Sequence, residues 1–340
     1  MTCIFGQIII YIKSKNIVNQ FEILEKKLFE FPVDLFIKRS AQDLATEIAH
    51  KRYRGIVLGA SGGIDSLVTT ALCLKAMEKR DKWKVVALQM NDSRIRGELY
   101  NTEMYRSLGA DFMQTDITTE AIGIETNLGM PPRWFTEFLM KLVLRWMPTR
   151  VRRWLILGVI STKAPKWVLI HYQRLILLHR LRIVRLKEYA SRNGLMIVIC
   201  SNLTESSLGY FVEKGVDDDQ MGDYAPLSAL YKTQVIQAAQ FMSLPENVIH
   251  QRPSPGFGGI YDEEIIGPYE LVDLVLVGLQ LGYSDVEITK AINAHASKSK
   301  KKAPFMRKNP FDINYVRFIR QLETLNHQKR HSESREDKNF

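Results

Sequence analysis

Ser61-Gly62-Gly63-Ile64-Asp65-Ser66 follows the apolar run Gly55-Ile56-Val57-Leu58-Gly59-Ala60 and precedes the helix-like stretch Leu67 to Met77. The order reads as strand, glycine loop, helix. Glycine lets the backbone approach a ligand closely, the first turn of a helix carries N–H groups without intrahelical partners, and two serines add hydroxyls. Such a loop cradles phosphate. It contains no lysine and lacks the GxxxxGK[ST] spacing, so it is not of the Walker type. Asp65 sets an anion beside that phosphate, an arrangement that a divalent cation reconciles by bridging carboxylate and phosphate. The plainer reading of Ser-Gly-Gly alone is a turn capped by Ser61 or Asp65. The strand before it, the offsets of Asp65 and Ser66 and the helix after it favour phosphate.

Around this loop the pattern alternates. A helix over Val33–His50, with Leu35, Ile37, Leu44 and Ile48 loosely on one face, leads into the strand Ile56–Ala60. A second strand follows at Lys84–Met90, then a helix from about Gly97 to Leu108 and a short strand at Asp111–Gln114. Further on come a helix over Arg174–Asn193, ended by Gly194, and a buried strand at Leu195–Cys200. Next are a helix opened by Ser201-Asn202-Leu203-Thr204-Glu205, an acidic loop with Asp217, Asp218 and Asp219, and a helix over Lys232–Met242. Strands alternating with helices predict a parallel sheet covered on both faces, with ligands beyond the carboxyl ends of its strands. The Pro- and Gly-rich loop Arg252–Gly259 interrupts regular structure, and the remainder reads as mostly helical. The apolar Ile4–Ile12 reads as a strand or an upstream extension rather than a secretory signal.

The 340 residues carry a formal net charge of +10, with an ordinary 46% apolar and 25% charged content that suits a globular protein. Three cysteines, Cys3, Cys73 and Cys200, without CxxC spacing, fit a reducing cytoplasm better than a disulfide framework or a zinc site. The charge is concentrated. Between Pro131 and Lys187 thirteen Lys or Arg face one acid, Glu137, a surplus of +12 that accounts for the whole excess. Four of the five tryptophans, Trp134, Trp146, Trp154 and Trp167, lie there too. Basic residues mixed with tryptophan suit nucleic acid, a membrane surface or an anionic ligand. Phe135–Trp146 and Val151–Ile160 read as short amphipathic helices, and no uncharged apolar run approaches the ~20 residues that cross a bilayer. The favoured reading of residues 120–172 is a helical hairpin that packs its tryptophans on the domain or on a second subunit, with membrane-surface association as the lesser alternative.

The glycine loop resembles the SGGxDS signature of PP-loop ATP pyrophosphatases, which cleave ATP to AMP and pyrophosphate while adenylating a substrate. Leu208-Gly209-Tyr210-Phe211, Asp223-Tyr224-Ala225-Pro226, Leu230-Tyr231-Lys232-Thr233-Gln234-Val235 and Arg252-Pro253-Ser254 follow in order. Together these motifs resemble the ammonia-dependent NAD synthetases over roughly Phe36 to Arg330, apart from the basic insert. The resemblance implies a three-layer, doubly wound parallel α/β sheet of the adenine nucleotide α-hydrolase-like kind, with a helical insertion and a helical C-terminal part. It also implies an N-terminal extension over 1–35, a synthetase-like domain over 36–330 that carries the insert at about 120–172, and a flexible tail over 331–340.

The implied reaction is amidation of deamido-NAD by ammonia through an adenylated intermediate, with ATP as co-substrate and Mg²⁺ as cofactor. The resemblance places Ser61, Gly62, Gly63, Asp65, Ser66, Cys200, Lys232 and Ser254 at ATP. Asp65 and Glu205 would hold magnesium, and Asp65, Lys232 and Asp223 would be catalytic. Arg180 (with Arg182, an ARxR pattern), Lys214, Asp223, His327 and Lys329 would meet deamido-NAD. Taken singly, Arg180 and Arg182 read as a solvated helix face, Glu205 as a first-turn acid, Lys232 as a helix-start lysine and His327 as a surface residue. Their joint occurrence favours the site.

Three departures stand out. Cys200 replaces the family's threonine, the expected lysine falls on Glu213 with Lys214 one place later, and an extra residue separates His327 from Lys329. The family is homodimeric. The ~50 residues before the first strand are too few for an amidase domain, which predicts free ammonia or a separate amidotransferase as nitrogen source. Alternatives are another PP-loop enzyme acting on tRNA, against which the Tyr-Lys-Thr-Gln-Val stretch argues so that no nucleic-acid partner is expected, and a non-catalytic membrane-peripheral protein.

Overall fold

The computed structural model describes residues 21–78, 83–94, 102–131, 135–136, 138, 146–209, 212–252, 261–298 and 311–336. Two compact units divide the chain: Pro32–Ile265, and the terminal segments up to Phe31 and from Ile266. In chain order the elements used below are α1 (21–29), α2 (Val33–Lys51), β1 (Gly55–Gly59), α3 (Ile64–Met77), β2 (Lys84–Asn91), α4 (Thr102–Leu108), β3 (Asp111–Asp116) and α5 (Thr118–Asn127). They continue with α6 (Thr149–Ile160), α7 (Lys166–Asn193), β4 (Met196–Val198), α8 (Leu203–Leu208), α9 (Lys232–Phe241), α10 (Glu246–Ile249), α11 (Asp262–Ile266), α12 (Tyr269–Gln280), α13 (Asp285–Lys298) and α14 (Ile313–Glu336).

The larger unit is built on a parallel sheet of order β3-β2-β1-β4. Its inner strands β1 and β2 are Val-, Ile- and Leu-rich because both faces are covered: Ile56, Val57, Leu58, Val86, Ala87 and Leu88 are all buried. Side chains alternate across a strand, so Val57, Val86, Leu88 and Ile197 meet Ile183, Leu186 and Ala190 of α7 on one face. On the other face α3 packs on β1 and β2, with α2 and α9 against it. Each fully buried aliphatic side chain contributes ~1.5–3 kcal/mol. Polar exposure confines β3 to the edge. This is the expected three-layer, doubly wound architecture.

The order places the switch point between β1 and β4. From β1 the chain crosses over to β2 and then β3, whereas β4 returns on the opposite side of β1, and right-handed crossovers therefore put α3 and α7 on opposite faces. A crevice opens where the two directions part. The loops leaving β1 and β4 both lead into it.

Boundaries differ from the sequence reading for local reasons. β4 stops at Val198 because Ile199 N–H donates to Tyr224 O, and Tyr224 joins the outer edge as a parallel bridge to Val198. A Cβ on Gly222 would lie 2.5 Å from Ile199 Cγ1 and 3.0 Å from Ile197 O, so glycine permits this close approach. α7 begins at Lys166, after Pro165, and closes on Gly194 in the left-handed region at φ 63°. β3 runs on to Asp116 because its register with β2 persists to Asn91. Residues 4–12, 97–101, most of 135–146, 253–259, 299–302 and 337–340 lie outside the described residues.

The smaller unit is helical. Phe21, Leu24 and Leu28 of α1 are buried, Lys27 Nζ donates to Gln280 Oε1 at 2.8 Å, and His295 of α13 stacks on Phe29 with ring centroids 5.2 Å apart. His295 Nδ1 lies 2.8 Å from Glu25 Oε1, and Nε2 lies 3.9 Å from Glu270 Oε2, an ion-pair separation. Among the described residues no helix is long and apolar enough to cross a membrane.

Candidate active site

The glycine loop is shaped by one buried phenol. Gly62 sits at φ 77°, where a side chain would be strained, and its N–H donates to Tyr105 Oη at 2.9 Å. Ser66 Oγ donates to Gly63 O at 2.8 Å and lies 2.7 Å from Tyr105 Oη, which leaves the phenolic proton for Ser66. Ser61 Oγ lies 3.1 Å from Ser66 Oγ and accepts from Gly63 N–H at 3.2 Å. Tyr105 is fully buried and stacks on Phe112 of β3. Burial, outweighing the bonds to Ser66 and Gly62, pushes its pKa up, so it stays a neutral donor. The loop that begins α3 is thereby held open, with the helix N-terminus behind it.

From β4 comes the second part. Asn202 caps α8: its Oδ1 accepts from Glu205 N–H at 3.0 Å, and its Nδ2 donates to Asp65 Oδ1 at 2.9 Å. One buried side chain thus ties the β1 loop to the β4 loop. The third part arrives along the sheet edge. After the Tyr224 bridge, Leu230 O accepts from Leu203 N–H and Lys232 N–H donates to Thr204 Oγ1, both at 2.8 Å. These bonds deliver Lys232, the first residue of α9, to the crevice, where its ammonium contacts Asp65 Oδ2 and lies 3.5 Å from Glu205 Oε1.

The charges define what this pocket accepts. Burial alone would lower the Lys232 pKa, but Asp65 and Glu205 outweigh it and the net shift is upward, so the lysine stays a cation. Burial, and then the neighbouring Asp65, pushes the Glu205 carboxyl up to about 8 despite Lys232. Asp262 of α11 adds further negative charge. Asp65, with Glu205 once a bound cation draws off its proton, fits a hard cation that is also held by phosphate oxygens, since magnesium takes one or two protein carboxylates plus substrate. Among the described residues no group of three or more His, Cys, Asp or Glu could hold a metal ion.

Cys200 adjoins the same loops, its Sγ 3.9 Å from Gly59 O. Burial pushes its thiol up to about 12 against a hydrogen bond with Thr69, so it packs as a neutral group. Arg180 and Lys214 are brought to one surface: Arg180 Nε donates to Glu213 O at 3.1 Å, next to Lys214, whose φ is 57° and whose N–H donates to Asp218 Oδ2. Asp223 is not joined to the Asp65 cluster by any described contact. Its carboxylate accepts from Tyr53 Oη at 2.8 Å and Ile197 N–H at 2.9 Å and lies 3.8 Å from Lys51. His327 is exposed on α14 of the smaller unit. Ser254 and the side chain of Lys329 lie outside the described residues.

Tyr105, Asn202 and Thr204 were not among the sequence candidates. Asn202 carried a local signal, an Asn three residues before a Glu at a helix start. Tyr105 carried none.

A glycine loop, a paired carboxylate set and a lysine gathered at the switch point of a parallel sheet define an α-hydrolase-like nucleotide fold of the PP-loop class. The sequence profile of the NAD synthase family matches residues 36–130 and 173–315. The NH(3)-dependent NAD(+) synthetase of Thermotoga neapolitana is 31% identical over 241 residues, covering 69% of this chain and 80% of that protein. That of Coprothermobacter proteolyticus is 28% identical over 304 residues, covering 84% and 94%. In fold, the chain is similar to the NH3-dependent NAD synthetase from Campylobacter jejuni, with TM-score 0.53, 17% identity, and 78% and 95% of the two chains covered. The NMN synthetase from Francisella tularensis gives TM-score 0.53, 20% identity, and 79% and 95%.

The chain belongs to the NAD synthase family. It is a ligase that forms a C–N bond with ATP as co-substrate, and the tRNA and non-catalytic alternatives are not favoured.

Proposed function

We propose that this protein amidates deamido-NAD with ammonia, using ATP and releasing AMP and pyrophosphate. The observation that carries the assignment of roles is the convergence of Asp65, Glu205 and Lys232 from three segments onto one crevice. Deamido-NAD and ATP are both anionic, so their encounter requires fixed positive charge and aimed N–H donors. Ser61, Gly62, Gly63 and Ser66 would bind the ATP phosphates through loop amides and hydroxyls. Lys232, kept cationic by its neighbours, would neutralise charge on the phosphates, and Ser254 would add a hydroxyl. Asp65 and Glu205 would hold Mg²⁺, which supplies charge neutralisation at the departing pyrophosphate.

Arg180, Lys214, Asp223, His327 and Lys329 would bind the dinucleotide. Of these, Arg180 and Lys214 share a surface, and Asp223 would act through the edge of β4, where Tyr53 and Lys51 already orient it. The carboxylate of deamido-NAD attacks the α-phosphate, pyrophosphate leaves, and ammonia then displaces AMP at the acyl carbon. The names of the curated relatives favour free ammonia as nitrogen source, and we propose a cytoplasmic homodimer with residues 36–330 as its functional domain.

Purified protein incubated with ATP, deamido-NAD, MgCl₂ and ammonium, followed by HPLC, is expected to yield NAD and AMP in equal amounts. Absence of both removes the proposal. Turnover with glutamine at a rate equal to that with ammonium would overturn the nitrogen-source assignment.

A further inference from the structure

The segment between the two profile-matched stretches, 131–172, has eight Lys or Arg against the single acid Glu137. Its two described helices form a hairpin. Leu155 of α6 meets Ala164 and Val168 across the turn, with Met147, Val159 and Leu169 packed around them. This small core satisfies only one side of the pair. The sequence reading expected the tryptophans to pack on the domain or a second subunit. Within the single chain Trp146, Trp154 and Trp167 are 78%, 58% and 46% exposed, so these three are not covered by the domain. Arg150 and Val151 stand exposed one turn before Trp154, and Lys166 and Ile170 flank Trp167.

We infer that this hairpin docks the enzyme on an anionic lipid surface. Three observations select that partner. Tryptophan combines an apolar ring with a polar N–H and favours the boundary between headgroup and acyl chain, while neighbouring Arg and Lys reach back to anionic headgroups. A second copy of the same face would set cations against cations, which charge complementarity disfavours. Nucleic acid would accept the cations and stack on the rings but offers nothing to Val151 and Ile170, which a bilayer surface covers. No helix among the described residues is long and apolar enough to span, so the element lies on the surface. The inference stands apart from the proposed chemistry, because none of these residues belongs to the Asp65 crevice.

The test is co-sedimentation of the full chain with phosphatidylcholine vesicles, with or without roughly one third phosphatidylglycerol, at roughly 0.1 and 0.5 M NaCl. Binding is expected only to the anionic vesicles, weakened at high salt, with a blue shift of tryptophan emission. Trp154→Ser with Trp167→Ser should lower affinity at least about tenfold, and Arg150→Glu with Lys166→Glu at least about twentyfold, at roughly fivefold per cation lost. Both double variants should keep unaltered NAD formation, which shows that they fold. Three results would overturn the inference: no binding to anionic vesicles, binding that the substitutions leave unchanged, or concentration-dependent self-association or RNA binding that the same substitutions abolish in place of lipid binding.

Discussion

Asp65 receives an amide N–H from Asn202 on one oxygen and the Lys232 ammonium on the other. Asp65→Asn would keep the shape but remove the charge that a cation and Lys232 both require. The expected result is a fall in kcat of about 10²–10³-fold with a folded protein, measured as AMP release by HPLC. Unchanged turnover would take Asp65 out of the mechanism. Tyr105→Phe tests the loop instead. It removes the Tyr105 Oη that accepts from the Gly62 N–H, which costs about 1–3 kcal/mol in urea denaturation, and it should raise KM for ATP more than it lowers kcat. Asp65 was legible in the sequence from its glycine loop, whereas Glu205 and Lys232 were legible only through the joint order of motifs that resembles the family, since each alone reads as an ordinary helix-start residue. Tyr105 was not, since its role depends on a Ser66 hydroxyl 39 residues away in the chain.

The β2 and α5 segments are joined by an ion network that no sequence motif marks. Arg94 pairs with the buried Asp92 at 2.6 Å and with Glu125 at 2.7 Å, and Glu125 pairs with the buried Arg174 of α7 at 2.7 Å. This network fixes the turn after β2 to both α5 and α7, beside the carboxyl end of the sheet. Removing Glu125 takes away the carboxylate that lies 2.7 Å from the buried Arg174 guanidinium. Glu125→Gln is therefore expected to destabilise the protein by about 2–3 kcal/mol, read from the shift of the urea midpoint at unchanged slope. A shift within about 0.5 kcal/mol would show that solvent already screens the pair. Helix and strand periods were readable here, while the partners were not, because ion pairs across elements carry no sequence spacing.

In the smaller unit one imidazole links three helices. Glu270, and then Glu25, hold the His295 pKa above its ordinary 6.5 against the opposing effect of burial. A group whose pKa is raised on folding stabilises most below its unfolded pKa, and that contribution is lost as pH rises through the folded one. The chain should therefore lose stability as pH is raised from about 6 through the folded-state pKa. His295→Gln should flatten that slope, a comparison made by thermal melts across the range. An identical pH slope in both proteins would assign it elsewhere.

The sequence by itself determined the succession of strand, glycine loop and helix, the parallel class of the sheet and the motif residues, because side-chain period and turn chemistry act within a few neighbours. Only the tertiary structure decided the order β3-β2-β1-β4, and with it the crevice that brings Asp65 and Lys232, 167 residues apart, into contact. It also decided that Asp223 is bound to the β4 edge and that Trp146, Trp154 and Trp167 stand exposed on the chain. Strand pairing and exposure depend on which distant surfaces meet, and local pattern leaves that choice open.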